Sequence, residues 1–320
     1  MKRPSRILCV TPNVSLDRAL VVPGFGVGGV WRATDVLVGC GGKGVNVARA
    51  AAQLGAETVC AGFLAGHAGR AAAEMAEREG LDCRWTWVDG ETRTNVIIVD
   101  PNGGEATVVN APGPSVTERD WDRLVTDILV ESENVDGVCI CGSLPPGSRA
   151  DGLADIVREL RARGLPVWVD NSGEALVSAL RGGPSGVKVN AQEIGELLGR
   201  SVRTPTEAAG AAEEVRRSGI SSVVVTLGEA GAVSVSEQGA WRARPPLIHA
   251  ASAVGSGDSF LAGLVSGVLD GLSLSDTLRR ATAAGSATAL RRTRSFHTGD
   301  FDGILAAVEI EPASLVFGGR

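Results

Sequence analysis

AVGSGDSFLAGL, residues 253–264, is the stretch around which the rest of the chain can be placed. Gly255, Ser256, Gly257 and Asp258 form a small-residue turn, and Phe260, Leu261, Leu264, Val265 and Val268 then recur at helical spacing. The pattern predicts a helix that begins near Gly257 with its first amides unpaired. Glycines leave those amides open to approach, so the turn is a candidate anion site. Asp258 has two readings at this point: a first-turn acid that caps the helix, or a general base beside a phosphate cradle.

Outward from that turn, strands and helices alternate. Short β-rich runs are predicted at 7–10, 58–63, 135–141, 166–170, 186–190 and 221–227. Helical periodicity is predicted at 43–54, 69–79, 120–130, 151–163, 193–198, 207–218, 259–269, 274–290 and 301–308. Repeated βα units imply an α/β fold, a mostly parallel sheet covered by helices on both faces, with ligands at the carboxyl ends of the strands. Two β-prone stretches interrupt the alternation. Residues 18–38 surround the turn PGFGVGG, and residues 84–110 contain RWTWV, TRTNVIIV and EATVVN with a hairpin turn at 100–104. They are expected to form a separate small sheet whose exposed apolar face covers an active site, a partner subunit or both.

Composition narrows the function. The chain has 320 residues, 44% hydrophobic and 21% charged, as in a globular protein with a sizeable core. A net charge of −6 gives no footprint for nucleic acid. The opening MKRPSR is followed only by the short ILCV run, and no apolar run is long enough to span a membrane. Cys9, Cys40, Cys60, Cys83, Cys139 and Cys141 make no C-x-x-C pair and read as buried reduced thiols of a cytoplasmic protein. The three histidines are isolated and support no metal site.

Several glycine patterns are decoys. Gly24-x-Gly26-x-x-Gly29 precedes no helix, and Gly39-x-Gly41-x-x-Gly44 follows a hairpin rather than the first strand of the sheet, so neither reads as a dinucleotide fingerprint. Leu37 stands six residues before Lys43, and Gly44 replaces the hydroxyl residue, so there is no P-loop. The run 41–44 is either a flexible helix entry or a close backbone approach to a polar ligand. Asn190 and Glu193 are either a capping pair or oxygens for hydrated Mg²⁺. Arg93 is a solvated strand residue or, with Asn95 and Asn110, a phosphate clamp.

GCGGKGVNVARA at 39–50 and AVGSGDSFLAGL at 253–264 resemble the two signature regions of the ribokinase-like (PfkB) carbohydrate kinases. The resemblance extends through TPNVSLD (11–17), GETRTNV (90–96), CGSLPPG (141–147), VDNSGEAL (169–176), VKVNAQE (187–193), TLGEAGA (226–232) and AAGSATA (283–289). It points to the family's sugar-phosphate branch, which holds 1-phosphofructokinases and tagatose-6-phosphate kinases. It implies a three-layer α/β/α core with a β lid, as one kinase domain over 1–320 with lid segments at about 12–38 and 84–112. Asp258 matches the catalytic base, and the amides of Gly255, Ser256 and Gly257 the anion hole. Asp17, Gly42, Lys43, Asn46, Arg93 and Ser143 match the sugar-phosphate site. Lys188, Asn190, Thr226, Gly228, Gly231 and Ser286 match the ATP site, with Asn190 and Glu193 holding Mg²⁺ through water. The implied reaction is ATP-dependent phosphorylation of fructose 1-phosphate or tagatose 6-phosphate to the 1,6-bisphosphate, in a homodimer joined through the lid. A 6-phosphofructokinase, a free-sugar kinase and a non-catalytic sugar or nucleotide sensor are the alternatives. The family usually has alanine where Ser256 stands and proline where Val189 stands, and RRTRSFHTGD at 291–300 departs from its usual small, glycine-containing loop.

Overall fold

A computed structural model describes residues 3–101, 106–291 and 296–314. In chain order the elements are β1 (Arg6–Asn13), β2 (Ser15–Val21), β3 (Asp35–Gly41), α1 (Lys43–Gln53), β4 (Glu57–Ala65), α2 (Gly66–Arg78), β5 (Asp82–Val88), β6 (Arg93–Val99) and β7 (Ala106–Val109). There follow α3 (Glu118–Glu131), β8 (Gly137–Cys141), α4 (Gly152–Ala162), β9 (Val167–Asp170), α5 (Gly173–Arg181), β10 (Gly186–Asn190), α6 (Ala191–Leu198), α7 (Pro205–Arg216) and β11 (Ser222–Thr226). The chain closes with β12 (Ala232–Ser236), β13 (Gly239–Arg244), α8 (Ser256–Asp270), α9 (Leu274–Ala289), α10 (Thr298–Ala307) and β14 (Glu309–Pro312).

Strands buried on both faces need apolar residues at every position, and β-branched or small side chains suit them. The runs ILCV, VCIC, VWV and VVV meet that demand and become the centre of a ten-stranded sheet, ordered β14-β13-β12-β11-β10-β9-β8-β1-β4-β5. Alternation along β1 divides the core. Leu8 and Val10 face α3 to α7, and Ile7 and Cys9 face α1, α8, α9 and α10. The result is three layers, helices over a mostly parallel sheet over helices. Helix starts are fixed by capping boxes at Thr117/Asp120, Asn190/Glu193 and Thr204/Glu207.

The four-stranded second sheet has the order β3-β2-β6-β7. Only Val14, itself buried, separates β1 in the core from β2 in this sheet. The expected lid segment 84–112 needs one correction. Its opening RWTWV belongs to β5, which pairs parallel with β4 at the edge of the main sheet. The β4-α2-β5 unit is a βαβ crossover, and Thr86 and Trp85 are packed into the core rather than left on a hairpin face. Residues 12–13, assigned to the first lid segment, likewise end β1. The turn expected at 100–104 falls partly outside the described residues, but its flanking strands β6 and β7 pair antiparallel. The 291–300 loop also falls partly outside them.

Candidate active site

Chain order in the large sheet reverses between β1 and β8: β1 leads outward to β4 and β5, whereas β8 leads the other way through β9, β10 and β11. A crevice opens at the carboxyl ends of strands at such a point. Here it is a cavity of about 250 Å³ between the main sheet and the small one. Thr11, Asn13, Lys43, Asn46, Ser143 and Asp258 line the core side, and Asp17, Arg93 and Asn95 the side of the small sheet.

Gly255, at φ +82°, turns the chain into α8 and brings Asp258 to the cavity. No side chain caps this helix, and the Ser256 amide makes only a long bond, 3.3 Å, to the Ala253 carbonyl. Asp258 is buried, with Oδ2 accepting from Asn46 Nδ2 at 2.8 Å. Burial pushes its pKa up to about 6, against the pull of the Lys43 ammonium. It is therefore a carboxylate poised near neutrality, as a proton acceptor should be.

Beside it lies a three-charge cluster. Asp170, at the end of β9, is fully buried and holds Lys43 Nζ at 2.6 Å on one oxygen and Lys188 Nζ at 2.8 Å on the other. Burial alone would raise the Asp170 pKa, but the two lysines more than offset it and hold the carboxyl below its ordinary value. Burial works against the Lys43 charge, yet Asp170, Glu193 and Asp258 outweigh it and keep the ammonium protonated. Lys188 overhangs the α8 turn: a Cβ on Gly257 would lie 2.9 Å from its Nζ. Cations and helix amides thus converge on one point.

Across the cavity, Asp17 Oδ1 accepts from Ser15 Oγ at 2.6 Å and Asn95 Nδ2 at 2.8 Å. Arg93 donates to the carbonyls of Asn13 at 2.8 Å and Ala111 at 3.3 Å, and its Nε is buried without a partner. The glycines at 41, 42 and 44 are required sterically, since Asp17 or Thr11 occupies the space of any Cβ there, and Gly42 has φ +119°.

Comparison with known proteins bears on this geometry. The sequence profile described as pfkB family carbohydrate kinase matches residues 8–296. The chain belongs to that family. This carbohydrate kinase is 35% identical to the 1-phosphofructokinase of Escherichia coli (strain K12) over 281 residues, 88% of this chain and 90% of the relative. It is 30% identical to the tagatose-6-phosphate kinase of Staphylococcus epidermidis over 308 residues, 95% and 99% of the two chains. Its fold superposes on the tetrameric inhibited form of phosphofructokinase-2 from Escherichia coli with a TM-score of 0.85 and 30% identity, covering 95% and 99%.

The residues of this kinase expected on the nucleotide side lie beyond Lys188, outside the lining of the cavity. Asn190 and Thr226 are neighbours across β10 and β11. Gly228 follows β11, and Gly231 has the Ala243 carbonyl where a Cβ would stand. Ser286 is on α9 next to Gly285, which abuts the Ser256 carbonyl at the start of α8. Asn190 and Glu193 do form the capping box, through Asn190 Oδ1 and Glu193 Oε2; Glu193 Oε1 faces Lys43 Nζ at 3.7 Å. Sequence reasoning passed over Asp170, Asn13 and Thr11. An acid ending an otherwise apolar strand, VWVD, was the available signal for Asp170. Nothing local marked Asn13, whose Nδ2 joins Ser143 Oγ at 3.2 Å and the Pro112 carbonyl at 3.1 Å.

Proposed function

We propose that this carbohydrate kinase phosphorylates a ketohexose monophosphate, fructose 1-phosphate or tagatose 6-phosphate, at the expense of ATP to give the 1,6-bisphosphate. The observation that carries the reading is one cavity with a buried carboxylate and helix turn on its core side and the Arg93 guanidinium on its other side. A ketohexose furanose has a CH₂O group at each end. One end then presents its hydroxyl to Asp258, and the other carries the existing phosphate to Arg93. The two named relatives act on substrates of this kind.

In this reading Asp258 takes the hydroxyl proton as the oxygen attacks the γ-phosphorus of ATP. The amides of Gly255, Ser256 and Gly257, with Lys188, hold the charge that builds on the transferring group, and Lys43 belongs with Arg93 to the sugar-phosphate site. Asp17, Asn46, Gly42 and Ser143 orient the sugar, and Lys188, Asn190, Thr226, Gly228, Gly231 and Ser286 line the nucleotide. Among the described residues no cluster of three or more His, Cys, Asp or Glu could cage a metal. Mg²⁺ keeps most of its waters and binds through one or two carboxylates plus substrate phosphates. Glu193, with one oxygen outside its capping box, would hold the ion through water, and the ion would neutralise phosphate charge. The chain works as one kinase unit, with the four-stranded sheet as its lid.

An ADP-release assay coupled to NADH oxidation, run over fructose 1-phosphate, tagatose 6-phosphate, fructose 6-phosphate, fructose and ribose, tests the proposal. A preference for the first two is expected. A higher kcat/KM for fructose 6-phosphate moves the chain to the 6-phosphofructokinases, and one for a free sugar removes the phosphate role of Arg93. No turnover on any member leaves a sensor.

A further inference from the structure

The hydrogen bond from Asn46 to Asp258 has a direction problem. A side-chain amide offers either its NH₂ or its oxygen, and the wrong end would set an oxygen against the carboxylate. Arg49, three residues further along α1 and on the same face, resolves it. Its Nη1 donates to Asn46 Oδ1 at 2.8 Å. A guanidinium has no acceptor, so it faces only the oxygen end and turns the NH₂ toward Asp258. Arg49 is itself fixed. Nη2 donates to the Cys40 carbonyl in β3 at 2.6 Å, and the Glu79 carboxylate at the end of α2 receives Nε and, at 3.2 Å, Nη2. Its side chain is only 13% exposed.

We infer that Arg49 is a positioning residue for phosphoryl transfer: it locks the Asn46 amide so that Asp258 stays a hydrogen-bonded acceptor, with Oδ1 left for the substrate hydroxyl. The inference rests on the reading of Asp258 as the base. Because one arm of Arg49 grips β3, that lock also depends on how the lid strand is seated. The arrangement Glu79–Arg49–Asn46–Asp258 is a chain of contacts from the exposed end of α2 to the reacting centre. The charged groups facing Asp258 directly are Lys43 from α1, Asp170 from β9 and Lys188 from β10, and substitution of Arg49 leaves all three in place.

The test is kcat against pH, at saturating substrates, for wild type, Arg49→Met, Arg49→Lys and Asp258→Asn, each checked for folding by thermal unfolding. With Asn46 free to turn, the carboxylate loses a stabilising bond, and the acid limb should move up by about one pH unit. The loss in kcat should then be about twofold near neutrality and approach tenfold on the acid side of the limb. Arg49→Lys keeps the charge but cannot reach Asn46, Cys40 and Glu79 together, so an intermediate shift identifies geometry rather than charge as the cause. A folded Arg49→Met enzyme with the wild-type limb and kcat overturns the role of Arg49. If that variant does not fold, Arg49→Lys decides: an upward shift supports the inference, and an unmoved limb overturns it. Near-wild-type turnover in Asp258→Asn sinks the base assignment and the inference with it. An inactive Asp258→Asn beside unmoved Arg49 variants sinks the inference alone.

Discussion

Replacing Gly257 with alanine should leave the protein folded, with a small helix-propensity gain set against a clash at Lys188, and make it a much poorer catalyst. Gly257 is the second residue of α8 and is absent from the glycines with positive φ, so alanine fits its backbone. On helix propensity alone the change gains about 0.5–1 kcal/mol. The new methyl would stand 2.9 Å from Lys188 Nζ, against about 3.5 Å for an unstrained contact. The ammonium must therefore retreat by roughly half an ångström. It cannot do so freely, because it is held at 2.8 Å by a fully buried Asp170 that also holds Lys43. Losing one preorganised donor at a developing charge costs about 10²–10³ in kcat; a donor displaced rather than deleted should cost about 10–100-fold. The ADP-release assay gives kcat and both Michaelis constants, and a thermal scan gives Tm. Wild-type kcat in Gly257→Ala, with a sound Tm, would show that the transferring phosphoryl does not sit under Lys188 at this turn.

Four further outcomes follow from the same geometry. Asp258→Asn keeps the shape but cannot take a proton, so kcat should fall at least a hundredfold, by about 2.7 kcal/mol, with ATP binding retained in calorimetry. For wild type, a base with its pKa raised to about 6 loses activity as pH falls through that value, and a kcat profile flat well below it would assign the proton elsewhere. Arg93→Ala removes a charge-assisted contact worth on the order of 1.5–3 kcal/mol, so KM for the sugar phosphate should rise at least tenfold while that for ATP barely moves; equal rises in both would place Arg93 in a general structural role. The lid strands expose Val36, Leu37, Val38, Val108 and Val109, the kind of surface a second copy would cover. Sedimentation should give a dimer, and a fully active monomer at micromolar concentration would remove the partner from the mechanism.

The sequence declared its parallel strands because burial on both faces forces unbroken apolar runs, and the VVV of β11 or the ILCV of β1 admit few other readings. It was weaker where tertiary pairing decides. RWTWV alternates like a hairpin strand, yet an α2 crossover carries it into the main sheet. The helix Gly173–Arg181 went unread although Ser172 stands at its N-cap and Glu174 in its first turn; the glycine between them, at φ +56°, masks the start, and the Ser172 side chain makes no capping bond. Strands β12 to β14 continue the sheet in antiparallel order, and polar residues interrupt the apolar runs in β12 and in β13 and β14 towards its edge, so they gave a weaker signal. At the site, the resemblance of residues 39–50 and 253–264 to the family's signature regions marked Lys43, Asn46 and Asp258, which the structure brings to one cavity; the turn alone left Asp258 with two readings. Asp170 was not legible, since its role comes from two lysines 127 and 18 residues away in sequence. The N-x-x-E motif shows why local signals mislead: Asn190 and Glu193 do cap α6, yet Glu193 still turns one oxygen toward Lys43.

The single residue between β1 and β2 has a mechanical consequence. The large and small sheets share one run of backbone through Val14, so any rotation of the small sheet about that residue would act as a lever. The seven residues of β2 make an arm of about 23 Å at ~3.3 Å per residue. A rotation of about 10° at the fulcrum would sweep the far end through roughly 4 Å while moving Asp17, three residues out, by under about 2 Å. The return path meets the core at Gly42, close to the same axis. Such a rotation would be geared: a small displacement at Asp17 would correspond to a large one at the far end of β2, its tip, and a force applied at that end would reach the cleft with high leverage. Stiffening Val14 would change how far the tip travels, whereas changes near Val21 or Asp35 would alter the grip on whatever the tip meets.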